Sequence, residues 1–369
     1  MLSYHPRSAA LLRMPSTIDV TARDGGYRIV VDRGLARRLS AELTTAQLTG
    51  QAVYVSSPRV WAAVGARFGR VTPILVPDGE RAKHLATVAR VYDALVDRGA
   101  DRGATVVAVG GGVLGDMVGF AAATYLRGVA LVHVPTTVMA QVDSAIGGKV
   151  GVNHARGKNL IGAFHPPALV AVDPEMLATL SRREFRAGLY EVIKYGLIAD
   201  HGLLDLLDAH LPEILHQEGD ALGEMVTRCC RIKASVVSQD EHEHGLRRIL
   251  NFGHTLGHAL EAATGYKRLR HGEAVGLGMR AALTIGVARG VTPRPLAERA
   301  ESLIARLGPL PSVADVRVAD ALAAAARDKK VVRGTLHFVL VNAEGATTVP
   351  DVTPREMRAA LTTVGVRAR

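Results

Sequence analysis

The sequence has few aromatic residues, only two cysteines and no long apolar run. Phe, Trp and Tyr make up 4% of the 369 residues, and no block of Lys and Arg alternates with aromatic side chains, as a base-stacking surface would require. Cys229 and Cys230 are adjacent within a predicted helix, where a mutual disulfide is geometrically poor. We therefore expect no nucleic-acid partner and no disulfide framework, and a reducing, cytoplasmic setting.

Long apolar segments are also missing, because Gly, Asp or Arg interrupts each one before the ~20 residues that a membrane helix needs. Residues 1–17 carry arginines, no acidic residue and an apolar run too short for a signal peptide, so we predict a disordered extension of a soluble protein. Positive charge is abundant, with a formal net charge of +10. Such a field suits phosphorylated small molecules, nucleic acid or an anionic membrane, and composition alone does not choose.

The first half of the chain alternates short β-branched runs with helical patterns, which is typical of a parallel α/β sheet. A helix is predicted over 85–95, with Gly99 as its stop. The predicted strands are 27–31, 52–55, 73–76, 105–109 and 130–134.

After about Thr179 the periodicity becomes that of long amphipathic helices. We predict an α/β fold with a Rossmann-like nucleotide-binding domain over 18–179 and a mostly helical metal- and substrate-binding domain over 180–369, which also contains a late strand at 335–341. Chemistry is expected in the cleft between them. The predicted helices are 184–199, 221–237, 252–263 and 274–288.

A glycine turn follows the fourth predicted strand, in Gly110-Gly111-Gly112-Val113-Leu114-Gly115-Asp116. Residues without side chains at a helix N-terminus let backbone N–H groups approach an anion. The spacing differs from G-x-G-x-x-G, and a tight turn without a ligand is the alternative. The charged loop 78–83 and the pair Thr136-Thr137 also follow strands, so three loops meet at one sheet edge and favour a dinucleotide.

Three histidines and a carboxylate are candidate ligands of a divalent metal. His254 and His258 are four residues apart on one helix face, His271 precedes the next helix, and Glu191 lies in an apolar helix where an unpaired carboxylate would be costly. Three such ligands with an open position describe a catalytic site. Spacing alone does not separate His258 from His271 as a ligand.

Several cations lie in glycine-rich or apolar surroundings, where phosphate and carboxylate groups find partners. Lys149 and Lys194 are the strongest of these candidates, and Lys233 and Arg247 are further ones. Exposed charges that only aid solubility are the alternative.

The order and spacing of these motifs resemble the 3-dehydroquinate synthase family over roughly residues 20–350. The motifs that carry the resemblance are 110–116, Val134-Pro135-Thr136-Thr137, Asp143-Ser144 with Gly147-Gly148-Lys149, 157–162, Glu191-Val192-Ile193-Lys194, Gly253-His254-Thr255 and His271-Gly272-Glu273.

The resemblance implies a homodimeric NAD-dependent cyclase that uses Zn²⁺ or Co²⁺ and a phosphorylated keto-acid sugar, 3-deoxy-D-arabino-heptulosonate 7-phosphate. It implies Glu191, His254 and His271 as metal ligands and moves His258 to the substrate. The implied NAD contacts are Asp78, Glu80, Lys83, Gly111, Gly112, Val113, Asp116, Thr136, Thr137, Lys149, Lys158, Met176 and Thr179. The implied substrate contacts are Asp143, Lys149, Asn159, Lys194, Lys233, Arg247, Asn251 and His258, with Arg127 offered across a dimer interface.

Two positions depart from the family pattern. Residues 56–59 read Ser-Ser-Pro-Arg where an Asp and an Asn usually meet the adenosine ribose, and His337 stands where a Lys or Arg is frequent near the substrate phosphate. A sister cyclase acting on sedoheptulose 7-phosphate or an amino analogue, and a metal-dependent polyol dehydrogenase, are the alternative functions.

Overall fold

The computed structural model describes residues 15–23, 25–326, 331–332 and 335–368. The predicted extension falls mostly outside these ranges, but its boundary at residue 17 is wrong by two residues. Ser16 and Thr17 already belong to the first strand, where they pair with Val31 and Val30.

Seven strands form the central sheet, and all neighbours in it are parallel except the first pair. The described residues form thirteen strands in all, six of them in three two-stranded sheets: β1 (Ser16–Ala22), β2 (Gly25–Val31), β3 (Ala52–Ser56), β4 (Ile74–Leu75), β5 (Thr105–Gly110), β6 (Ala130–Pro135), β7 (Lys149–His154), β8 (Gly157–Phe164), β9 (Leu169–Val172), β10 (Val331–Val332), β11 (Thr335–Leu336), β12 (Phe338–Val341) and β13 (Ala346–Val349). The order across the sheet is β1, β2, β9, β6, β5, β3, β4.

Twelve α-helices lie within the described ranges, and none there has the combined length and apolar character needed to cross a membrane. They are α1 (Leu39–Thr45), α2 (Pro58–Val64), α3 (Leu85–Asp97), α4 (Gly112–Thr124), α5 (Arg182–Ile198), α6 (His201–His216), α7 (Ala221–Gln239), α8 (His254–Ala263), α9 (His271–Ala288), α10 (Arg294–Arg306), α11 (Val318–Ala326) and α12 (Pro354–Thr363).

The strand β5 is buried on both faces, as its uninterrupted β-branched sequence predicts. Val106 and Ala108 pack with α3 and α4, whereas Val107 and Val109 pack on the other face with α1 and α2. The connection β3–α2–β4 therefore runs on one face and β4–α3–β5 on the other. From β3 the chain adds β4 on one side of the sheet and then β5 and β6 on the other, so the strand order reverses between β3 and β5. Such a switch point opens a crevice at the carboxyl ends of the strands.

The helical half shares its core with the edge of the sheet. Val20, Ile29 and Val170 of β1, β2 and β9 belong to the same buried cluster as residues of α5, α7 and α9. The predicted boundary at 179/180 is therefore crossed by one continuous core, and no linker separates the halves.

Two stretches that read as glycine-rich loops are strands. β7 and β8 pair antiparallel with a register shift between Val152 and His154, and form a hairpin that packs against α4. The late strand predicted over 335–341 is interrupted at His337, because β11 pairs with β10 while β12 pairs with β13.

The helices α8 and α9 approach each other closely through glycines. A methyl group at Gly278 would collide with the carbonyl oxygen of Gly253 and lie 2.7 Å from the amide nitrogen of Gly257. Gly253 itself has φ +77°, a left-handed conformation that favours glycine. This contact holds the first residues of both helices side by side.

We predict that Gly278→Ala lowers the free energy of unfolding by about 3 kcal/mol, because the added methyl group forces backbone apart in a packed core. Urea denaturation measures the change. Gly223→Ala in α7 is the matched control, since nothing lies within 4 Å of the added methyl group there. It should be neutral or stabilise by up to about 1 kcal/mol, and equal losses in both variants would contradict the packing argument.

Candidate active site

A buried carboxylate and two histidines converge where α5, α8 and α9 meet. Glu191 lies in the middle of α5 with no exposed surface, while His254 and His271 are the first residues of α8 and α9. Glu191 Oε1 lies 3.5 Å from His254 Nε2 and 3.6 Å from His271 Nε2. The close approach of α8 and α9 thus aims both rings at one carboxylate oxygen.

The other ring nitrogen of each of these histidines has its own acceptor. His254 Nδ1 lies 3.1 Å from the carbonyl oxygen of Phe252, and His271 Nδ1 lies 3.1 Å from Glu261 Oε2. An acceptor at Nδ1 holds the proton there and leaves the Nε2 lone pair for a metal. Both Nε2 atoms face Glu191, so the arrangement is that of oriented metal ligands.

The donor set fits a divalent cation. Among the described residues neither carboxylate oxygen of the buried Glu191 accepts a hydrogen bond, although Lys194 forms an ion pair with Oε2. Nitrogen atoms of His254, His258 and His271 also lie within 4.8 Å of one another. The structure therefore brings all four predicted candidates together, and the separation of His258 from the ligands stays a prediction.

The electrostatics of the cluster favour positive charge at its centre. Burial alone would raise the pKa of Glu191 and lower that of His271, but the pKa of Glu191 is lowered, chiefly by Lys194. The facing carboxylates of Glu191 and Glu261 raise the pKa of His271 to about 10. The pKa of Glu261 is lowered to about 2, because His271 and Lys158 outweigh its burial.

A second group of charges lies beside the first. Asp143 belongs to a π-helical turn over Ala140–Ser144, a feature that is frequent at functional sites. Its carboxylate forms an ion pair with the buried Lys233 and accepts a hydrogen bond of 2.9 Å from the Tyr195 hydroxyl. Burial would raise the pKa of Asp143, yet Lys233 and Lys194 hold it well below its usual value.

The remaining predicted substrate cations are held differently. Lys149 at the start of β7 pairs with Glu243, which also accepts a hydrogen bond of 2.7 Å from Asn251. Arg247 is buried, and its guanidinium donates to the carbonyl oxygen of Gly147 at 3.2 Å and 3.3 Å. Lys149 and Asn251 thus share Glu243 as their acidic partner, while Arg247 stabilises the backbone turn at Gly147.

The glycine turn at the end of β5 fits a bound phosphate group. A side chain at Gly111 would meet Thr137 Cγ2 at 3.1 Å, and one at Gly112 would meet Ser144 Oγ at 2.6 Å. Only glycine leaves this strip of backbone open at the N-terminus of α4. The turn lies at the switch point between β3 and β5, where an open parallel sheet binds nucleotides.

Charged and amide side chains join the glycine turn to the hairpin. The buried Lys83 donates to Asp116 Oδ2 at 2.6 Å and to Asn159 Oδ1 at 2.5 Å. Asn153 donates to Glu80 Oε1 at 2.6 Å and accepts from the backbone N–H of Asn159 at 2.9 Å. The predicted substrate residue Asn159 therefore belongs to the same network as the predicted cofactor residues.

Other predicted cofactor residues line the same sheet edge. Asp78 Oδ2 lies 3.4 Å from Ser57 Oγ at the start of α2, and Thr137 Oγ1 accepts from the Ala140 N–H. Val113 lies within the glycine turn, and the Thr136 N–H donates to the Gly110 carbonyl at 3.0 Å. The exposed Thr179 donates to the Met176 carbonyl at 3.0 Å. The Met176 side chain is fully buried in the core, so only its backbone is available at this edge.

Arg127 lies at the amino ends of the parallel strands, just before β6, whereas the glycine turn lies at their carboxyl ends. It follows α4, whose 13 residues span about 20 Å. Leu126 and Arg127 have φ of +50° and +69°, and both are exposed. Arg127 therefore does not belong to the cluster of its own chain.

Four partners of the site were not predicted from the sequence. Glu261 accepts from His271, Glu243 pairs with Lys149, Tyr195 donates to Asp143, and Asn153 donates to Glu80. Helical spacing offered a signal for Glu261, which lies seven residues after His254 on the same face. No pattern in the sequence singles out the other three.

A metal-type cluster beside a dinucleotide-type turn places the chain among metal-dependent enzymes built on a nucleotide-binding sheet. A probable glycerol dehydrogenase from Sinorhizobium meliloti shares this fold at TM-score 0.63 and 17% identity, over 90% of this chain and 94% of that one. The chain belongs to the 3-dehydroquinate synthase family, since the family's N-terminal pattern matches residues 73–187 and its C-terminal pattern residues 188–331.

Curated relatives and solved structures agree with this family. The 3-dehydroquinate synthase of Nostoc punctiforme is 44% identical, over 93% of this chain and 98% of its own, and that of Thermosynechococcus vestitus is 45% identical, over 93% and 97%. A 2-epi-5-epi-valiolone synthase from Streptomyces hygroscopicus, with NAD⁺ and Zn²⁺ bound, has TM-score 0.82 at 32% identity, over 93% and 98%. A 2-deoxy-scyllo-inosose synthase with carbaglucose-6-phosphate, NAD⁺ and Co²⁺ has TM-score 0.81 at 26% identity, over 94% and 99%.

We predict that Asp143→Asn lowers the free energy of unfolding at pH 7 by about 3 kcal/mol, because it leaves the buried Lys233 without its counter-charge. The pKa of Asp143 is lowered in the folded protein. Its stabilisation is therefore complete above the unfolded pKa of about 3.9 and is lost as pH falls through the folded pKa.

Urea denaturation of both proteins between pH 7 and pH 3 measures this difference. The difference in the free energy of unfolding between wild type and Asp143→Asn should stay constant down to about pH 5 and become smaller below about pH 4. Asp315→Asn is the matched control, since Asp315 forms an exposed ion pair with Arg268, and it should leave the free energy of unfolding nearly unchanged. A difference between wild type and Asp143→Asn that grows at acid pH would contradict the argument.

Proposed function

We propose that this chain is a 3-dehydroquinate synthase, which converts 3-deoxy-D-arabino-heptulosonate 7-phosphate to 3-dehydroquinate and phosphate in the shikimate pathway. The observation that carries the proposal is the buried Glu191 facing two oriented histidines, beside a group of lysines with acidic partners. Family membership and the names of relatives at 44–45% identity support the same reaction. The protein would act in the cytoplasm as a homodimer.

The proposed cofactors are NAD and a divalent metal, Zn²⁺ or Co²⁺. When bound, NAD⁺ takes up and returns a hydride, and the metal polarises the alcohol that is oxidised. Glu191, His254 and His271 would hold the metal, because Nε2 of each histidine lies within 3.6 Å of the same Glu191 oxygen. The glycine turn, Lys83 and Asp116 would hold the dinucleotide at the switch point of the sheet.

The lysines would bind the anionic groups of the substrate. Lys194 and Lys233 are buried and lie beside Glu191 and Asp143, where they can hold an oxyanion and limit the entry of water. Lys149 and Asn251 share Glu243 and can exchange it for a substrate carboxylate or hydroxyl. His258 lies next to the ligand histidines and can move a proton on the substrate.

Arg127 would serve the site of a second copy of the chain. It is exposed at the sheet edge far from its own glycine turn, in a backbone conformation that non-glycine residues adopt only at a cost. This assignment rests on the resemblance and on the position of the residue.

A sister cyclase that uses sedoheptulose 7-phosphate is the second candidate. The 2-epi-5-epi-valiolone synthase, whose structure matches at TM-score 0.82, favours it. Against it, a sugar without a carboxylate has less use for a site that holds Lys149, Lys194 and Lys233. Identity to the dehydroquinate synthases is also higher.

We predict that the protein releases phosphate from 3-deoxy-D-arabino-heptulosonate 7-phosphate and not from sedoheptulose 7-phosphate. Phosphate release with each sugar, measured in the presence of NAD⁺ and Zn²⁺ or Co²⁺, decides between the two. No net NADH should accumulate, because the hydride returns to the product. Turnover of sedoheptulose 7-phosphate alone would assign the sister reaction, and steady NADH production would indicate a polyol dehydrogenase.

We predict that Glu191→Gln and His271→Ala each abolish turnover and reduce the bound metal, which elemental analysis of the purified protein measures. His258→Ala should reduce turnover by about 10²–10⁴-fold while the metal content is retained, because His258 acts on the substrate. A His258 variant that loses its metal would make His258 a ligand. An active variant without metal at Glu191 or His271 would refute the ligand assignment.

A further inference from the structure

Two series of polar contacts, joined by the neighbouring residues Asn159 and Lys158, connect the glycine turn to a candidate metal ligand. The first series begins at Asp116 in the first turns of α4 and passes through Lys83 to Asn159 on the hairpin. The next residue before Asn159, Lys158, lies 3.6 Å from Glu261 Oε1 across the cleft. Glu261 Oε2 then lies 3.1 Å from Nδ1 of His271.

Glu261 divides its two oxygens between the two halves of the molecule. Its side chain is only 7% exposed, so the carboxylate itself is largely shielded from water. Lys158 is more accessible, and its ammonium also lies 4.2 Å from the centre of the Tyr266 ring. The carboxylate is therefore the fixed member of the pair, and the lysine is the one that can move.

We propose that Glu261 is a positioning residue through which dinucleotide binding strengthens metal binding at His271. This inference rests on the proposed binding of NAD and a divalent metal. Lys158 draws electron density from Glu261 while the two are paired. When an anionic dinucleotide occupies the sheet edge, Lys158 turns to it, and Glu261 becomes a stronger acceptor for the His271 Nδ1–H. A stronger acceptor at Nδ1 makes Nε2 a better metal donor.

Two substitutions should change Co²⁺ affinity in opposite directions. Glu261→Gln removes the negative charge behind His271 and should weaken Co²⁺ binding about tenfold. Lys158→Met frees Glu261 permanently and should tighten Co²⁺ binding severalfold in the absence of NAD⁺. A purely structural role for the Lys158–Glu261 pair would weaken binding in both variants.

The experiment titrates the metal-depleted full-length protein with Co²⁺ against a competing chelator, with and without saturating NAD⁺. In the wild type, NAD⁺ should tighten Co²⁺ binding about fivefold or more. The factor by which NAD⁺ tightens Co²⁺ binding should fall close to one in Lys158→Met, in Glu261→Gln and in the double variant. The two single effects should not add in the double variant, because both substitutions interrupt the same coupling between NAD⁺ and the metal. The visible absorption of bound Co²⁺ should shift in Glu261→Gln, since the geometry or basicity of His271 changes.

Lys267→Met is the matched control. It removes an exposed lysine close to α8 for which no ion pair is found within the described part of the chain. It should leave the NAD⁺ factor as in the wild type. Glu261→Asp, which keeps the charge, should fold and retain part of the factor if Glu261→Gln proves unstable.

Two results would overturn the proposal. One is an NAD⁺ factor that is the same in Lys158→Met and the wild type, and the other is Co²⁺ affinity that Glu261→Gln leaves unchanged. Either result with phosphate release intact in the wild type would leave the proposed function standing. Failure of the wild type to bind NAD⁺ and metal at all would instead refute the proposed function.

Discussion

The burial of the Glu191 carboxylate is the constraint on which the helical half of the structure depends. A carboxylate with no exposed surface is costly unless positive groups surround it. Lys194 comes from the next turn of α5, and His254 and His271 come from the first residues of two other helices. Those first residues meet only because α8 and α9 pack through glycines at 253 and 278. Packing and charge are therefore satisfied together, and a change in either affects the cluster.

The hairpin of β7 and β8 has the corresponding role on the other side of the cleft. Its lysines pair with acidic residues of the helical half, Lys149 with Glu243 and Lys158 with Glu261. Lys194 and Lys233 likewise pair with Glu191 and Asp143. Without carboxylate partners these lysines would repel one another, so the acidic groups hold the lysines at defined positions before an anion binds. An anionic ligand can then replace a carboxylate as the partner of a lysine with little reorganisation, which is how a preorganised site limits the cost of binding.

Much of the sheet could be predicted from the sequence, because central parallel strands such as β5 are buried on both faces and read as unbroken β-branched runs. The strand β1 was missed although its apolar and polar residues alternate, and β9 was missed although its four residues are buried. The strands β7 and β8 were missed because their glycines resemble a loop. At the site, helical spacing identified His254 and His258. Glu191 and His271 come from distant segments, so no local periodicity connects them. Their assignment to one ligand set came from the resemblance to a family. Ion partners such as Glu243 follow from three-dimensional packing alone.

The position of His258 decides what the metal can do. Four protein donors around Zn²⁺ would complete a tetrahedron and make the site structural, whereas three leave a position for the substrate alcohol. His254 and His271 each have an acceptor at Nδ1 and present Nε2 to the same oxygen of Glu191. That shared orientation supports the proposed ligand set of Glu191, His254 and His271, in which His258, one helical turn further along α8, would stay unbound. In the proposed function an unbound His258 would move a proton on the substrate alcohol, so the four residues would serve catalysis only if one of them does not bind the metal.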